Sequence, residues 1–159
     1  MYYRFLYLGF KVYCFILRPI RMGVRIMMIK DGKVWLVRHT YLSGWYMPGG
    51  GVKRLEPMDV AARREAREET GAELGEVELV GIYTGNILWK TDHTTVFICK
   101  DFKFTGKSDA EIAEMRAFPL DELPEDTYGL HRHLLERFHG GEALPKFGKW
   151  EAQQKTKWV

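Results

Sequence analysis

Apolar and polar positions divide this chain into segments of different period, and the period of each segment predicts its element. Residues 3–17 are apolar almost throughout, carry Gly9 as a weak breaker and are closed by Pro19, which predicts a helix over 3–17 with a broad apolar surface. Residues 24–29 and 34–37 are β-prone runs on either side of Asp31-Gly32, a dipeptide that accepts the positive φ angles of a type I′ turn, so they predict a hairpin. Residues 41–52 turn to Ser, Gly, Pro and aromatics and end in Pro48-Gly49-Gly50-Gly51, a loop or a strand feeding one. Pro57 suits the first position of a helix, strong helix formers run from Asp59 to Thr70, and Gly71 is a natural stop. Beyond it, strands are predicted over 77–83, 94–104 and 115–118, with a polar turn region around Gly85-Asn86 and Asp92-His93. The helical spacing of Leu130, Leu134, Leu135 and Phe138 predicts a closing helix, and the tail from Gly140 onward is expected to be loosely held, with Phe147, Trp150 and Trp158 able to dock.

Composition changes this picture little. The 159 residues, 46% hydrophobic and 28% charged, describe one globular domain, and a chain of this size buries roughly two thirds of its unfolded surface without help from disulfides or a structural metal. Cys14 and Cys99 stand far apart and outside any metal-ligand spacing, so they are expected to be thiols in a reducing compartment. The net charge of +3 is too mild to imply nucleic-acid binding, and no nucleic-acid partner is expected. Its distribution is uneven, because Arg4, Lys11, Arg18, Arg21, Arg25 and Lys30 all precede the first acidic residue, Asp31. The apolar run in this basic segment is broken by Lys11 and is shorter than the roughly 20 residues a membrane span needs. It is followed by Leu17-Arg18-Pro19-Ile20-Arg21 rather than a small-residue cleavage site, so export is not expected and a cytoplasmic location is.

Chemistry concentrates on the helix after the glycine loop. Glu65, Glu68 and Glu69 stand at i, i+3 and i+4 and share one face. Taken alone they read first as a solvated charged surface. Two neighbours favour a functional reading: the helix has only Ala61, Ala62 and Ala66 as its main nonpolar residues, too little for a large apolar stripe, and Gly49-Gly50-Gly51 can bring bare backbone close to a cation or a phosphate. Carboxylates beside an oxygen-rich loop suit a hard cation such as Mg²⁺ or Mn²⁺.

Gly50, five residues, Glu56, seven residues and then Arg64-Glu65-Ala66-Arg67-Glu68-Glu69-Thr70-Gly71-Ala72 resemble the Nudix box of the Nudix hydrolase family at every charged and glycine position. The departures are Ala66 and Ala72, where the family usually carries a bulkier aliphatic residue. The resemblance extends loosely over residues 21–138 and implies an α/β fold, an α/β/α sandwich around a mixed sheet, flanked by an extra N-terminal helix within 1–20 and a tail over 139–159. It implies hydrolysis of a pyrophosphate bond in a nucleoside diphosphate linked to another moiety, or a related nucleotide. It also implies a divalent metal held by Glu65, Glu68 and Glu69 with a backbone carbonyl of Gly49 or Gly50, and a pairing of Glu56 with Arg64 that fixes loop to helix. Glu68, or a residue outside the box, is expected to be the general base. Glu111 is the outside choice, ahead of Glu114, Asp92 and His93.

The substrate is less legible. Tyr41, Trp45, Tyr46, Tyr83 and Trp89 offer π faces, although Trp45 and Tyr46, just before a tight turn, read first as scaffold. Arg38, His39 and Lys90 are candidate phosphate or base contacts. Residues 87–90 lack the proline of ADP-ribose-type and the tyrosine of dinucleoside-polyphosphate-type members, and the coenzyme A subfamily's extra motif before the box is absent. The alternatives to an enzyme are a catalytically silent nucleotide sensor on the same fold and a membrane-surface or self-association protein built on its N-terminal helix. The apolar residues of 3–17 need a cover. Packing within the chain or in a homodimer ranks first, and peripheral membrane contact ranks second.

Overall fold

The hairpin forms where the dipeptide places it. In the computed structural model, which describes Gly9, Val12, Tyr13 and residues 15–87 and 89–150, strands β1 (Ile20–Lys30) and β2 (Lys33–His39) are joined through Asp31 at φ 52° and Gly32 at φ 72°. The two strands pair directly at Ile29 with Val34 and at Lys30 with Lys33, then diverge. Helix α1 (Met58–Thr70) follows the glycine loop and ends at Gly71, as the sequence indicates. After it come β3 (Ala72–Leu74), β4 (Glu78–Ile87), β5 (Lys90–Cys99), β6 (Phe102–Phe104), β7 (Ile112–Pro119), helix α2 (Gly129–His139) and β8 (Phe147–Trp150).

Six strands make one mixed sheet in the order β7-β2-β1-β5-β4-β8, parallel between β1 and β5 and between β4 and β8, and β3 pairs with β6 in a separate ribbon. The central strand β1 is covered on both faces, which explains why Val24 and Ile26–Ile29 are all buried rather than alternating with exposed residues. Val24, Ile26 and Met28 meet α1 and the β3–β6 side, whereas Met27 and Ile29 join Leu134 and Leu135 of α2 with Trp45 and Met47. The result is the α/β/α sandwich that the resemblance implied.

Four local readings change. The alanines of α1 are a packing face: Ala61, Ala62 and Ala66 have no exposed surface, and their size lets the helix lie close to the sheet, where a large apolar stripe would hold it off. Ala72 is equally buried, so the two small residues in the box sit in a tight interior. The polar stretch after residue 84 is strand, because β4 and β5 continue in register to Ile87 and Lys90 and turn near Trp89, at φ 60°. The segment read as one strand over 94–104 is broken into β5 and β6. The tail expected to be loose supplies β8, whose residues Phe147–Trp150 pair with Ile82–Gly85 of β4, while Lys146 and Pro145 accept bonds from the Ile82 N–H and the Tyr83 hydroxyl at 2.8 and 3.0 Å.

In the predicted N-terminal helix, Gly9, Val12, Tyr13 and residues 15–17 are helical; the rest of that prediction, with Cys14, falls outside the described residues, as does Trp158. Cys99 is a buried free thiol. Among the described residues no helix is long and apolar enough to cross a membrane.

Leu55 adopts φ 62° and is 95% exposed, so it bears backbone strain without compensating burial. Leu55→Gly is therefore expected to raise the free energy of unfolding by about 0.5–1 kcal/mol, the left-handed penalty less the added chain entropy of glycine. Chemical denaturation read by circular dichroism checks this, and an unchanged or lower midpoint would show that the strain is relieved elsewhere.

Candidate active site

The glycine loop reaches its position because it is stitched into the gap between the diverging β1 and β2. On one side the Val24 and Ile26 N–H groups donate to the Gly50 and Pro48 carbonyls at 2.9 Å, and the Val52 N–H donates to Met22 at 3.0 Å. On the other, Val37 and Tyr46 exchange both backbone bonds at 2.9 Å. The Met47 N–H finds the Nδ1 of His131 on α2 at 2.9 Å, which requires that nitrogen to be an unprotonated acceptor. Burial of His131 holds its pKa well below the ordinary histidine value and keeps it in that state.

Helix α1 then presents its acidic face to this loop. Arg64 organises the face: its Nε and Nη2 donate to the two oxygens of Glu56 at 2.7 and 2.9 Å, its Nη1 to Glu65 at 2.6 Å and Glu68 at 3.0 Å, and its Nη2 also to the Gly51 carbonyl at 3.0 Å. One planar fork thus ties three carboxylates and the loop backbone together, a geometry open to guanidinium but not to an ammonium. The Arg64 hydrogen bonds, with the Lys53 N–H, hold the Glu56 carboxyl down to about 2. Glu65 lies directly over Gly50, where a Cβ would come within 2.6 to 2.8 Å of its carboxylate, so a side chain there would push that carboxylate aside.

Glu69 is set apart from this clasp. Its Oε2 accepts the Gly49 N–H at 2.8 Å and its Oε1 is 3.8 Å from Nε2 of buried His39. Burial pushes its pKa up to about 7, with Glu65 and Glu111 adding to the rise against the opposing effects of Arg25 and the Gly49 amide. Burial, aided by Arg25, pushes His39 the other way, down to about 4. The pocket behind Glu69 therefore disfavours bare charge of either sign.

The residues singled out in the sequence separate clearly. Glu56, Arg64, Glu65, Glu68 and Glu69 converge on the glycine loop, and Glu111 comes near them because the Thr40 N–H at the end of β2 holds its carbonyl at 2.9 Å. Its exposed carboxylate is close enough to raise the pKa of Tyr41, second to burial, as well as that of Glu69. Glu114 instead bonds Arg116 at 2.6 Å, and Asp92 and His93 bond Thr94 and Thr84 within the sheet. Trp45, Tyr46 and Tyr83 are buried scaffold, with Trp45 edge-on to Phe118 at 4.8 Å and the Arg38 guanidinium 4.6 Å from its ring centre. Arg38 also pairs with Asp126, and Lys90 is buried at the start of β5. Tyr41 is the candidate stacking residue left half exposed beside the carboxylates, its ring tilted on His39 at 5.3 Å.

Two residues of the site were not anticipated. Arg25 projects from β1 on the side of Met27 and Ile29, and its Nη1 donates to the Gly49 carbonyl and, at 3.3 Å, to that of Met47. His131 carries the Met47 amide. The available signal was a charged residue in a strand buried on both faces, which demands a polar partner inside.

The donor set fits a hard cation in an open arrangement. Among the described residues no three His, Cys, Asp or Glu side chains form a closed cage, since Glu65 and Glu68 turn onto Arg64. Carboxylates crowded beside backbone carbonyls, one of them raised to about 7 by burial, nevertheless make the environment expected for a cation that keeps waters and shares substrate oxygens. The Gly49 and Gly50 carbonyls each already accept one bond, from Arg25 and from the Val24 N–H, which leaves each a second lone pair.

Known proteins share this sequence and shape. The RNA pyrophosphohydrolase of Caulobacter vibrioides is 45% identical over 62 residues, which is 37% of this chain and 35% of that protein. The protein of the same name from Xanthomonas campestris pv. campestris is 40% identical over 60 residues, covering 38% of this chain and 29% of its own length. The chain thus spans about a third of the curated relatives it matches. Among solved structures, a MutT NUDIX hydrolase from Burkholderia pseudomallei superposes with a TM-score of 0.66 at 25% identity, over 74% of this chain and 96% of that one. A NUDIX hydrolase from Nitrosomonas europaea superposes with a TM-score of 0.68 at 25% identity, over 80% and 93%. With the NUDIX domain matched over residues 19–138, three quarters of the sequence and every element from β1 to α2, the chain belongs to the Nudix family.

Proposed function

We propose that this protein hydrolyses a pyrophosphate bond in a nucleoside diphosphate linked to another moiety, or in a related nucleotide, with Mg²⁺ or Mn²⁺ as cofactor. The observation that carries the reading is the convergence of Glu56, Arg64, Glu65 and Glu68 in one hydrogen-bonded clasp against the glycine loop, with Glu69 bonded to the same loop. Glu65, Glu68 and Glu69, with the Gly49 or Gly50 carbonyl, would hold the cation. When bound it supplies neutralisation of pyrophosphate charge and a lowered pKa for a coordinated water.

The chain's own groups do the rest. Arg64 and Glu56 keep α1 and the loop in fixed relation, so that the carboxylates face the same volume. Glu68, the most exposed of the three box glutamates, would take the proton of the attacking water, with exposed Glu111 as the second candidate. Tyr41 offers its ring to a base. The silent-sensor alternative is disfavoured because a protein that only binds has little use for the complete carboxylate set. Because relatives are named RNA pyrophosphohydrolases, an RNA carrying a pyrophosphate bond joins the substrates to be tested beside the small nucleotides.

The deciding assay incubates purified protein and Mg²⁺ with nucleoside diphosphate derivatives, nucleoside triphosphates and a 5′-triphosphorylated RNA, and identifies both products. Glu68→Gln is expected to lower turnover at least about a hundredfold, the scale of losing a general base or a cation-positioning group. Wild-type rates in that variant would remove Glu68 from the site. Arg64→Lys keeps the charge but loses the fork, so cation affinity is expected to weaken about tenfold or more while the fold persists. Calorimetric Mn²⁺ titration beside a circular dichroism spectrum measures both, and an unchanged titration would reduce Arg64 to a surface charge.

A further inference from the structure

Among the described residues, the apolar side chains at the end of the N-terminal segment are exposed. Phe15, Ile16 and Leu17 are 54%, 69% and 61% exposed, and Ile20 and Met22, which open β1, continue the same exposure. Trp89 belongs to this surface, since its ring meets Phe15 edge-on at 5.7 Å and the Thr91 N–H beside it bonds the Pro19 carbonyl at 3.1 Å. Helix end, strand start and the β4–β5 turn therefore form one continuous apolar face.

Two strained residues, Arg18 and Trp89, lie at this face. Four described non-glycine residues have positive φ: Asp31 serves the hairpin turn, and the others are Arg18, Leu55 and Trp89. Holding large apolar side chains outward in strained conformations costs stability twice, in backbone energy and in hydration, and such outliers point to use.

We propose that this face docks onto an anionic lipid surface. Its charge selects that occupant: Arg18 and Arg21 are exposed next to the apolar residues in the chain, and there are six basic and no acidic residues before Asp31. The acidic residue that the sheet register sets beside the face is Asp92, opposite Arg21, half-buried and bonded by Thr94. A second copy of the chain suits the face less, because a two-fold contact would bring together two faces of the same positive charge. A bilayer with anionic headgroups answers both properties at once, taking the apolar side chains into the acyl boundary and the cations at the phosphates. With no described helix able to cross, the contact is peripheral.

Co-sedimentation of the full chain with vesicles of phosphatidylcholine alone, and of phosphatidylcholine with an equal part of phosphatidylglycerol, tests the proposal. Binding is expected to the mixed vesicles only and to weaken as salt is raised, because exposed charges are screened. Ile16→Ser combined with Ile20→Ser is expected to lower vesicle affinity at least about tenfold with an unchanged circular dichroism spectrum, and Arg18→Gln with Arg21→Gln to abolish the preference for phosphatidylglycerol. Absence of binding to the mixed vesicles, or equal binding to both, would overturn the proposal. So would a lipid-free dimer in sedimentation equilibrium that the isoleucine pair dissociates, which would assign the face to a second copy.

Discussion

The structure depends on where the backbone hydrogen bonds of residues 45–52 go. β1 and β2 pair directly only beside their turn, and beyond it this segment fills the space between them, bonded to Val24 and Ile26 on one side and Val37 on the other. A loop carrying Trp45, Tyr46 and three glycines would otherwise have to satisfy its amides in water and wander with it. Here each bond to a sheet strand fixes the glycines against a rigid element. The fork of Arg64 and the amide of Gly49 then transfer that rigidity to the glutamates of α1.

Electrostatics explains why the same few residues recur. Like charges at helical spacing cost only about 0.2–0.5 kcal/mol per pair on an open surface, but Glu65 and Glu69 are nearly covered, where repulsion is screened less. Arg64 balances Glu56, Glu65 and Glu68, leaving Glu69 to the weaker support of an amide, a neutral histidine and the guanidinium of Arg25. Burial raises the pKa of Glu69, and that weaker support does not offset it. A site balanced in full by its own side chains would have little attraction left for an external cation, so the deficit at Glu69 suits a cofactor-binding role.

The legible parts of the molecule were those whose signals are local. Asp31-Gly32 gave its turn, Pro57 and Gly71 bracketed α1, and the spacing of Glu65, Glu68 and Glu69 brought them to one face, because each depends on residues within a turn or two of one another. Arg25 and His131 escaped because their partners, the Gly49 carbonyl and the Met47 amide, lie 24 and 84 residues away and are backbone groups with no sequence signature. β8 escaped for a related reason: a four-residue edge strand with Gly148 inside it carries little period of its own and is defined by the edge of β4. The alanines of α1 were legible as composition and misleading as pattern, since a small-residue face buries little area per residue but brings helix and sheet into close contact.

Stability and use divide across the two edges of the glycine loop. Toward α1 the loop is over-determined, with Gly49, Gly50 and Gly51 each held by a hydrogen bond or a close contact from a different side chain. Toward the N-terminal face the chain instead tolerates positive φ at Arg18 and Trp89 and leaves apolar groups in water. The strain is affordable because the sheet register holds Ile20 to Thr91 and Met22 to His93 regardless of what the side chains above them do. Met22 and Val24 bond the loop through Val52 and Gly50, so the same short stretch of β1 carries both the apolar face and the backbone of the carboxylate site. A displacement of that stretch cannot leave the loop behind without breaking bonds of 2.9 and 3.0 Å. Contact made on one side of β1 is thereby contact made within a few residues of the chemistry.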